Sequence, residues 1–347
     1  MPPIPKNARN ILIRSTNWIG DAIMTTPAVR SIRHNFSEAR ITLLALPWVA
    51  DVFRACPYID QIFIYDKQGR HQGLGGKLRL ANELRQQNYD LTILLQNAFE
   101  AALITFLARI PVRGGYTTDG RGLLLTHGVR KDPEIKTKHQ VHYYQEMIEG
   151  LGLRRSENSL ELFLDPPARQ EADALLREAQ QGAEGPIIGL NPGAAYGPAK
   201  CWPPTKYAEL AGRLSQATGA LIVIFGTAAD QEAATEISAA AGERVLDLTG
   251  RTTLAQALAC IARCSVFVTN DSGLMHVAAA LNTPLVAVFG STDHIATGPY
   301  SEKATIVRQP VDCSPCMQTH CPKGHFQCME AITVEEVEQA AQLMLRD

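Results

Sequence analysis

The strongest constraint on the fold is an alternation of short, continuous apolar runs with amphipathic helical stretches, present in both halves of the chain and interrupted once between them. In the first half, Ile11–Arg14, Ile41–Leu46, Gln61–Tyr65 and Leu91–Leu95 read as strands, with helices predicted over Gly20–His34 and Lys77–Gln87. In the second half, strands are predicted at Ile187–Leu190, Leu221–Phe225, Val266–Thr269 and Leu285–Phe289. Helices are predicted there over 205–218, from Asp230, over Leu254–Ala262, after Asp271, and finally over Val334–Leu345. Strands that are apolar at successive rather than alternate positions are covered on both faces, so a parallel sheet lies between helical layers.

The pattern breaks at Asp165-Pro166-Pro167 and stays polar to Gly185-Pro186. A chain of 347 residues is too long for one core of ordinary size, and two domains of about 150–180 residues are expected. The boundaries read from sequence are an N-terminal domain over 1–165, a linker over 166–185 and a C-terminal domain over 186–347. Packing of the final helix, 334–345, back on the first domain is an open alternative. The fold class is α/β, two doubly wound Rossmann-like domains, with ligands at the carboxyl ends of the strands and the domains facing a central cleft.

A net charge of −2 and a hydrophobic fraction of 46% exclude a nucleic-acid-binding surface of the usual basic kind. No run approaches the ~18 apolar residues of a membrane span. The Met1-Pro2-Pro3-Ile4-Pro5-Lys6 start lacks a secretory apolar core, so a cytoplasmic location is expected, with peripheral membrane contact left open.

Two turns carry the chemistry. Asn270-Asp271-Ser272-Gly273-Leu274-Met275-His276 follows an apolar strand and runs straight into a helix. Free backbone N–H groups at that helix start, a Ser272 cap and a Cβ-free Gly273 make an anion site. The second turn, Asn191-Pro192-Gly193-Ala194-Ala195-Tyr196-Gly197-Pro198-Ala199-Lys200, also follows a strand and ends in a cation. Together they point to a phosphate-bearing ligand. Gly226 and Asp230 end a third strand, where a carboxylate commonly holds a ribose, although a helix cap explains Asp230 nearly as well. Thr252 and Leu254 are candidate neighbours of a base. His276 falls one turn into its helix, where it either points back to the phosphates or packs.

Trp18-Ile19-Gly20-Asp21-Ala22-Ile23-Met24-Thr25-Thr26-Pro27-Ala28, the 191–203 segment ending Gly-Pro-Ala-Lys-Cys-Trp-Pro, and the 270–276 segment together resemble the ADP-heptose:lipopolysaccharide heptosyltransferases, glycosyltransferase family 9. The likeness spans nearly the whole chain and is nearest to the heptosyltransferase II branch. It implies a GT-B fold and metal-independent, inverting transfer of L-glycero-D-manno-heptose from ADP-heptose to heptosyl-Kdo2-lipid A, with no cofactor beyond the donor. It also implies a monomer at the cytosolic face of the bacterial inner membrane.

On this resemblance Asp21 is the catalytic base; without it, Asp21 reads as a residue complementing a helix dipole. Lys200 is expected to stabilise the departing diphosphate. The donor set comprises Asn191, Gly193, Ala195, Tyr196, Lys200, Gly226, Asp230, Thr252, Asp271, Ser272, Gly273 and His276. Trp202 is expected to pack or to brace the loop. Arg113, Arg121, Lys138, His139 and His142 are candidate acceptor-binding cations, and Gly73-Leu74-Gly75-Gly76 a flexible loop admitting a lipid-bearing substrate.

The alternatives are a heptosyltransferase I or III acting at another inner-core position, a GT-B epimerase, and a non-catalytic nucleotide-sugar-binding protein. A dinucleotide-dependent oxidoreductase is disfavoured, because Ser15-Thr16-Asn17-Trp18-Ile19-Gly20 lacks the glycine pattern required after the first strand. Of eight cysteines, Cys56, Cys201, Cys260 and Cys264 are scattered, whereas Cys313, Cys316, Cys321 and Cys328 cluster around His320 and His325. That spacing admits a structural zinc site, disulfides or free thiols.

Overall fold

A computed structural model describes residues 3–346. Its contacts divide into one unit ending at Phe163 and another beginning at Leu164. In the first unit β1 (Asn10–Arg14), β2 (Arg40–Ala45), β3 (Gln61–Ile64), β4 (Leu91–Leu94), β5 (Val112–Tyr116) and β6 (His127–Val129) form one sheet ordered β3-β2-β1-β4-β5-β6. In the second, β7 (Ile187–Asn191), β8 (Leu221–Ile224), β9 (Val245–Asp247), β10 (Val266–Asn270), β11 (Leu285–Phe289) and β12 (Ala304–Arg308) are ordered β12-β11-β10-β7-β8-β9. Every pairing is parallel. Counted from its own first strand, each sheet has the order 3-2-1-4-5-6. The winding therefore reverses between β1 and β4 in one unit and between β7 and β10 in the other, where such sheets leave a crevice for a ligand.

The central strands β1, β4, β7, β8, β10 and β11 are buried along almost their whole length, as their unbroken apolar sequences require. The predicted helix over Gly20–His34 is two helices, Ile19–Met24 and Thr26–Asn35, joined at Thr25. Pro27 has no N–H to continue the first, and the Thr26 hydroxyl donates instead to the Ile23 carbonyl at 2.8 Å. Gly73-Leu74-Gly75-Gly76 is not a loop but the first turn of the helix Gly73–Gln86. Gly76 is buried against the His71 backbone, where a Cβ would not fit.

The segment 166–185 is not a linker. Pro166–Gln180 is a helix entered through Asp165, with proline in its first turn. Ala168, Ala172 and Leu176, four residues apart, bury one stripe, and the helix packs on the helix Leu254–Ile261 of its own unit. Asp173 and Arg263 pair across that contact at 2.6 Å. The final helix, Val334–Met344, packs within the second unit, on the helix Pro204–Thr218 and on β10 to β12. Its stripe Val334, Val337, Ala340 and Ala341 is apolar, and Arg213 binds Glu335 and Glu338 on its flank. Among the described residues no helix is long and apolar enough to cross a membrane.

Candidate active site

The two chemistry-bearing turns leave adjacent strands at the switch point of the second sheet, with Thr269 beside Asn191. Asn191 itself is buried, and its amide donates to the Thr269 hydroxyl at 2.9 Å and the Ser272 hydroxyl at 2.8 Å. Asn270 works in the opposite direction. Its amide donates to the Pro192 carbonyl at 2.6 Å, and its oxygen accepts from the Trp202 N–H at 3.0 Å and the Tyr207 hydroxyl at 3.2 Å. The two asparagines stitch one turn to the other, and their side chains are committed within the protein. Trp202 is wholly buried, donating its indole N–H to the Ile332 carbonyl at 3.1 Å, and so braces the loop as sequence suggests.

Ser272 caps the helix Gly273–Ala280, its hydroxyl accepting from the Met275 N–H at 3.4 Å. The remaining first-turn N–H groups and the helix dipole form an anion-attracting end. Beside it, Lys200 Nζ lies 2.5 Å from Asp271 Oδ2, with the two side chains 13% and 5% exposed. The same carboxylate oxygen accepts from the Thr292 hydroxyl at 2.6 Å. The ammonium also sits 4.8 Å from the Tyr196 ring centre. Held by one oxygen, Lys200 retains further N–H donors for an incoming oxyanion. Thr292 is a member of this constellation that the sequence reading missed, and Asn270, which opens the predicted turn, was given no role of its own; Thr292 follows the carboxyl end of β11, the same signal that marked the other turns.

Asp230 is committed to its own turn. One of its oxygens accepts from the Thr227 N–H at 2.7 Å and the Thr227 hydroxyl at 2.9 Å, closing a capping box. Gly193 and Gly226 are required by this same carboxylate. A Cβ on Gly193 would run into it, and one on Gly226 would lie 3.0 Å from it. Tyr196 is half exposed and donates its hydroxyl to the Met317 carbonyl at 2.9 Å, and Ala195 precedes it on the loop surface. Thr252 lines a separate cavity of about 370 Å³ with Asp247, Arg251 and Gln256. His276 is buried at the end of the first turn of its helix.

In the first unit Asp21 occupies the third position of the helix Ile19–Met24, reached from β1. It is partly exposed, and after burial its charge is the next cause raising the pKa of the buried Tyr144. Arg14, at the end of β1, props the intervening loop: it donates to the Ser15 carbonyl at 2.5 Å and to Asn17 Oδ1 at 2.9 Å, and lies 5.5 Å from the Tyr65 ring centre. Burial pushes its pKa down to about 10. Trp18 is 60% exposed, and Trp48 donates its indole N–H to the Asn17 carbonyl at 2.9 Å, which places two exposed rings beside the Asp21 loop.

The five candidate acceptor-binding cations each have a partner within their own unit. Arg121 is fully buried, donating to the Tyr116 and Gln96 carbonyls and to Asn97 Oδ1. Arg113 ties the Leu124 and Ile110 carbonyls. Lys138 pairs with Glu146 at 2.6 Å, His139 caps the helix Gln140–Gly150, and His142 lies 3.4 Å from the Asn158 amide. The cations gathered just beyond the carboxyl ends of β3 and β4 are Lys67 and Lys77, at 3.1 and 2.5 Å from Glu100. Burial alone would raise the Glu100 pKa; bonds from Lys77, Lys67 and Tyr65 prevail and hold it below the usual carboxylate range.

Two parallel sheets wound in this order, with a charged turn and a helix N-terminus at the switch point of the second, define the GT-B class of sugar-nucleotide enzymes. Residues 77–327 match the model of glycosyltransferase family 9, heptosyltransferase. The lipopolysaccharide heptosyltransferase 2 of Salmonella typhimurium is 34% identical over 94% of this chain and 96% of its own length. The solved structure of E. coli ADP-heptose lps heptosyltransferase II superposes with a TM-score of 0.82 at 30% identity, covering 97% of this chain and 98% of that one. The lipopolysaccharide heptosyltransferase 3 of E. coli is more distant, 26% identical over 82% of the chain. The chain belongs to glycosyltransferase family 9.

Proposed function

We propose that this glycosyltransferase moves L-glycero-D-manno-heptose, with inversion, from ADP-heptose to the first heptose of the lipopolysaccharide inner core. The observation that carries the reading is the Lys200–Asp271 pair beside the Ser272-capped helix, a cation and a row of N–H groups converging at one switch point. In the donor complex the diphosphate lies against the Gly273 end of that helix and takes the free donors of Lys200, so that the charge growing on the leaving oxygen meets fixed dipoles. Asp271, with Thr292 on the same oxygen, fixes the ammonium in place.

Asp21 removes the proton from the acceptor hydroxyl as that oxygen attacks the anomeric carbon, and the sugar–phosphate bond breaks on the opposite face to release ADP. Inversion follows from this single displacement. Trp18 and Trp48 offer apolar faces to the acceptor sugar, and Lys67 and Lys77 are cations suited to its phosphates and carboxylates. The transfer takes no metal ion at the reacting atoms, and the protein acts as a monomer at the cytosolic face of the inner membrane.

The greater similarity to heptosyltransferases 2 than to a heptosyltransferase 3 favours an acceptor that already carries one heptose. The test is ADP release from ADP-heptose with Kdo2-lipid A bearing either no heptose or one. Turnover with the mono-heptosylated acceptor alone is expected; turnover on the bare Kdo acceptor would overturn the assignment.

A further inference from the structure

Cys313, Cys316, Cys321 and Cys328, four of the cysteines in the chain, line a single small cavity together with His325, Ser291 and Lys323. The cavity measures about 20 Å³, room for one atom-sized occupant and no more. All four sulfurs are free thiols. Ser291 is buried there, and its hydroxyl has no hydrogen-bond partner among the described residues.

The cavity lies behind the donor turn. The strap carrying the cysteines accepts from the Ala199 N–H at the Thr319 carbonyl, 3.1 Å, and from the Tyr196 hydroxyl at the Met317 carbonyl, while the Met317 N–H donates to the Ser291 carbonyl at 2.8 Å. The strap therefore sets the height of the loop that ends in Lys200 and of the Ser291-Thr292 pair behind Asp271. It runs over 311–326 with almost no regular secondary structure to fix it.

We propose that the four cysteines bind one thiophilic divalent metal ion, zinc or ferrous iron, as a closed structural site that locks this strap. Four cysteines lining one atom-sized space supply the donor set of a tetrahedral thiolate site, and Lys323 offsets part of the charge of four thiolates on a divalent ion. Among the described residues, no three Cys, His, Asp or Glu side chains are arranged to hold an ion as they stand, so binding draws the sulfurs inward by side-chain rotation. The ion plays no part in the transfer step, and its detection needs neither donor nor acceptor.

The full chain, purified under reducing conditions without chelator, is expected to carry roughly one zinc or iron per molecule by elemental mass spectrometry. Replacement by Co2+ should give an intense thiolate-to-cobalt band in the near ultraviolet and tetrahedral bands in the visible. Cys313→Ser/Cys316→Ser should lose both the ion and the bands, and Cys56→Ala should keep them. Should the double variant fail to fold, the cobalt spectrum of the unaltered protein still decides. No ion together with no cobalt–thiolate band, an ion retained in the folded double variant, or disulfides among these four cysteines in freshly purified protein would each overturn the site.

Discussion

Asp271 Oδ2 lies 2.5 Å from Lys200 Nζ across 71 residues of sequence, and both side chains are largely withdrawn from water. Removing one member of such a pair strands the other, so Asp271→Ala and Lys200→Ala are each expected to cost about 3 kcal/mol in urea unfolding. The double change Lys200→Met/Asp271→Leu should recover most of that stability while leaving transfer as depressed as in Lys200→Ala. A double variant with restored transfer would make the pair a scaffold and nothing more.

The Asp230 carboxylate sits where a Cβ of Gly193 would have to go. Gly193→Ala should therefore cost about 1–3 kcal/mol by overpacking the turn. In an Asp230→Ala background the same change should be close to neutral, because the obstructing carboxylate is gone. Equal costs in the two backgrounds, measured by denaturant melts, would mean that Gly193 serves something other than the approach of Asp230.

Burial raises the pKa of the Cys56 thiol from 9.0 to about 11, and burial does the same for Cys260. In the unfolded chain these thiols ionise first, so between those values the folded state holds more protons than the unfolded state and stability falls as pH rises. Two units correspond to at most ~2.7 kcal/mol per thiol. Between pH 8 and 11 the unaltered protein should lose stability more steeply than Cys56→Ala by up to that amount. Parallel losses in chemical denaturation would contradict the assigned burial effect.

Much of this architecture is legible in the chain because its central strands are unbroken apolar runs, which only a doubly covered parallel sheet accommodates. The turns after β7 and β10 were legible for a related reason: residues that end a buried strand and start a helix carry an unavoidable set of free N–H groups. Part of what escaped notice was amphipathic or edge-bound; the interior strand β5, Val-Arg-Gly-Gly-Tyr, lacks an apolar run altogether. Pro166–Gln180 hides its buried stripe of Ala168, Ala172 and Leu176 among charges and reads as a linker. The edge strands β6 and β12 are only half buried and lack a continuous apolar sequence. Arg121 and Arg113 look like ligand-binding cations because a buried guanidinium tied to carbonyls leaves no trace in sequence. Nor does pairing across 71 residues, which is why Asp271 and Lys200 were found as two candidates rather than as one unit.

Asp21→Asn separates chemistry from binding most directly. The side chain is partly exposed in the first turn of a short helix, so the loss of its charge there should cost under ~1 kcal/mol of stability. Donor affinity by calorimetry should match the unaltered protein within about twofold, while kcat for heptose transfer falls by roughly 10²–10⁴. Transfer at an undiminished kcat in the folded variant would contradict the assignment of Asp21 as the group that accepts the acceptor's proton.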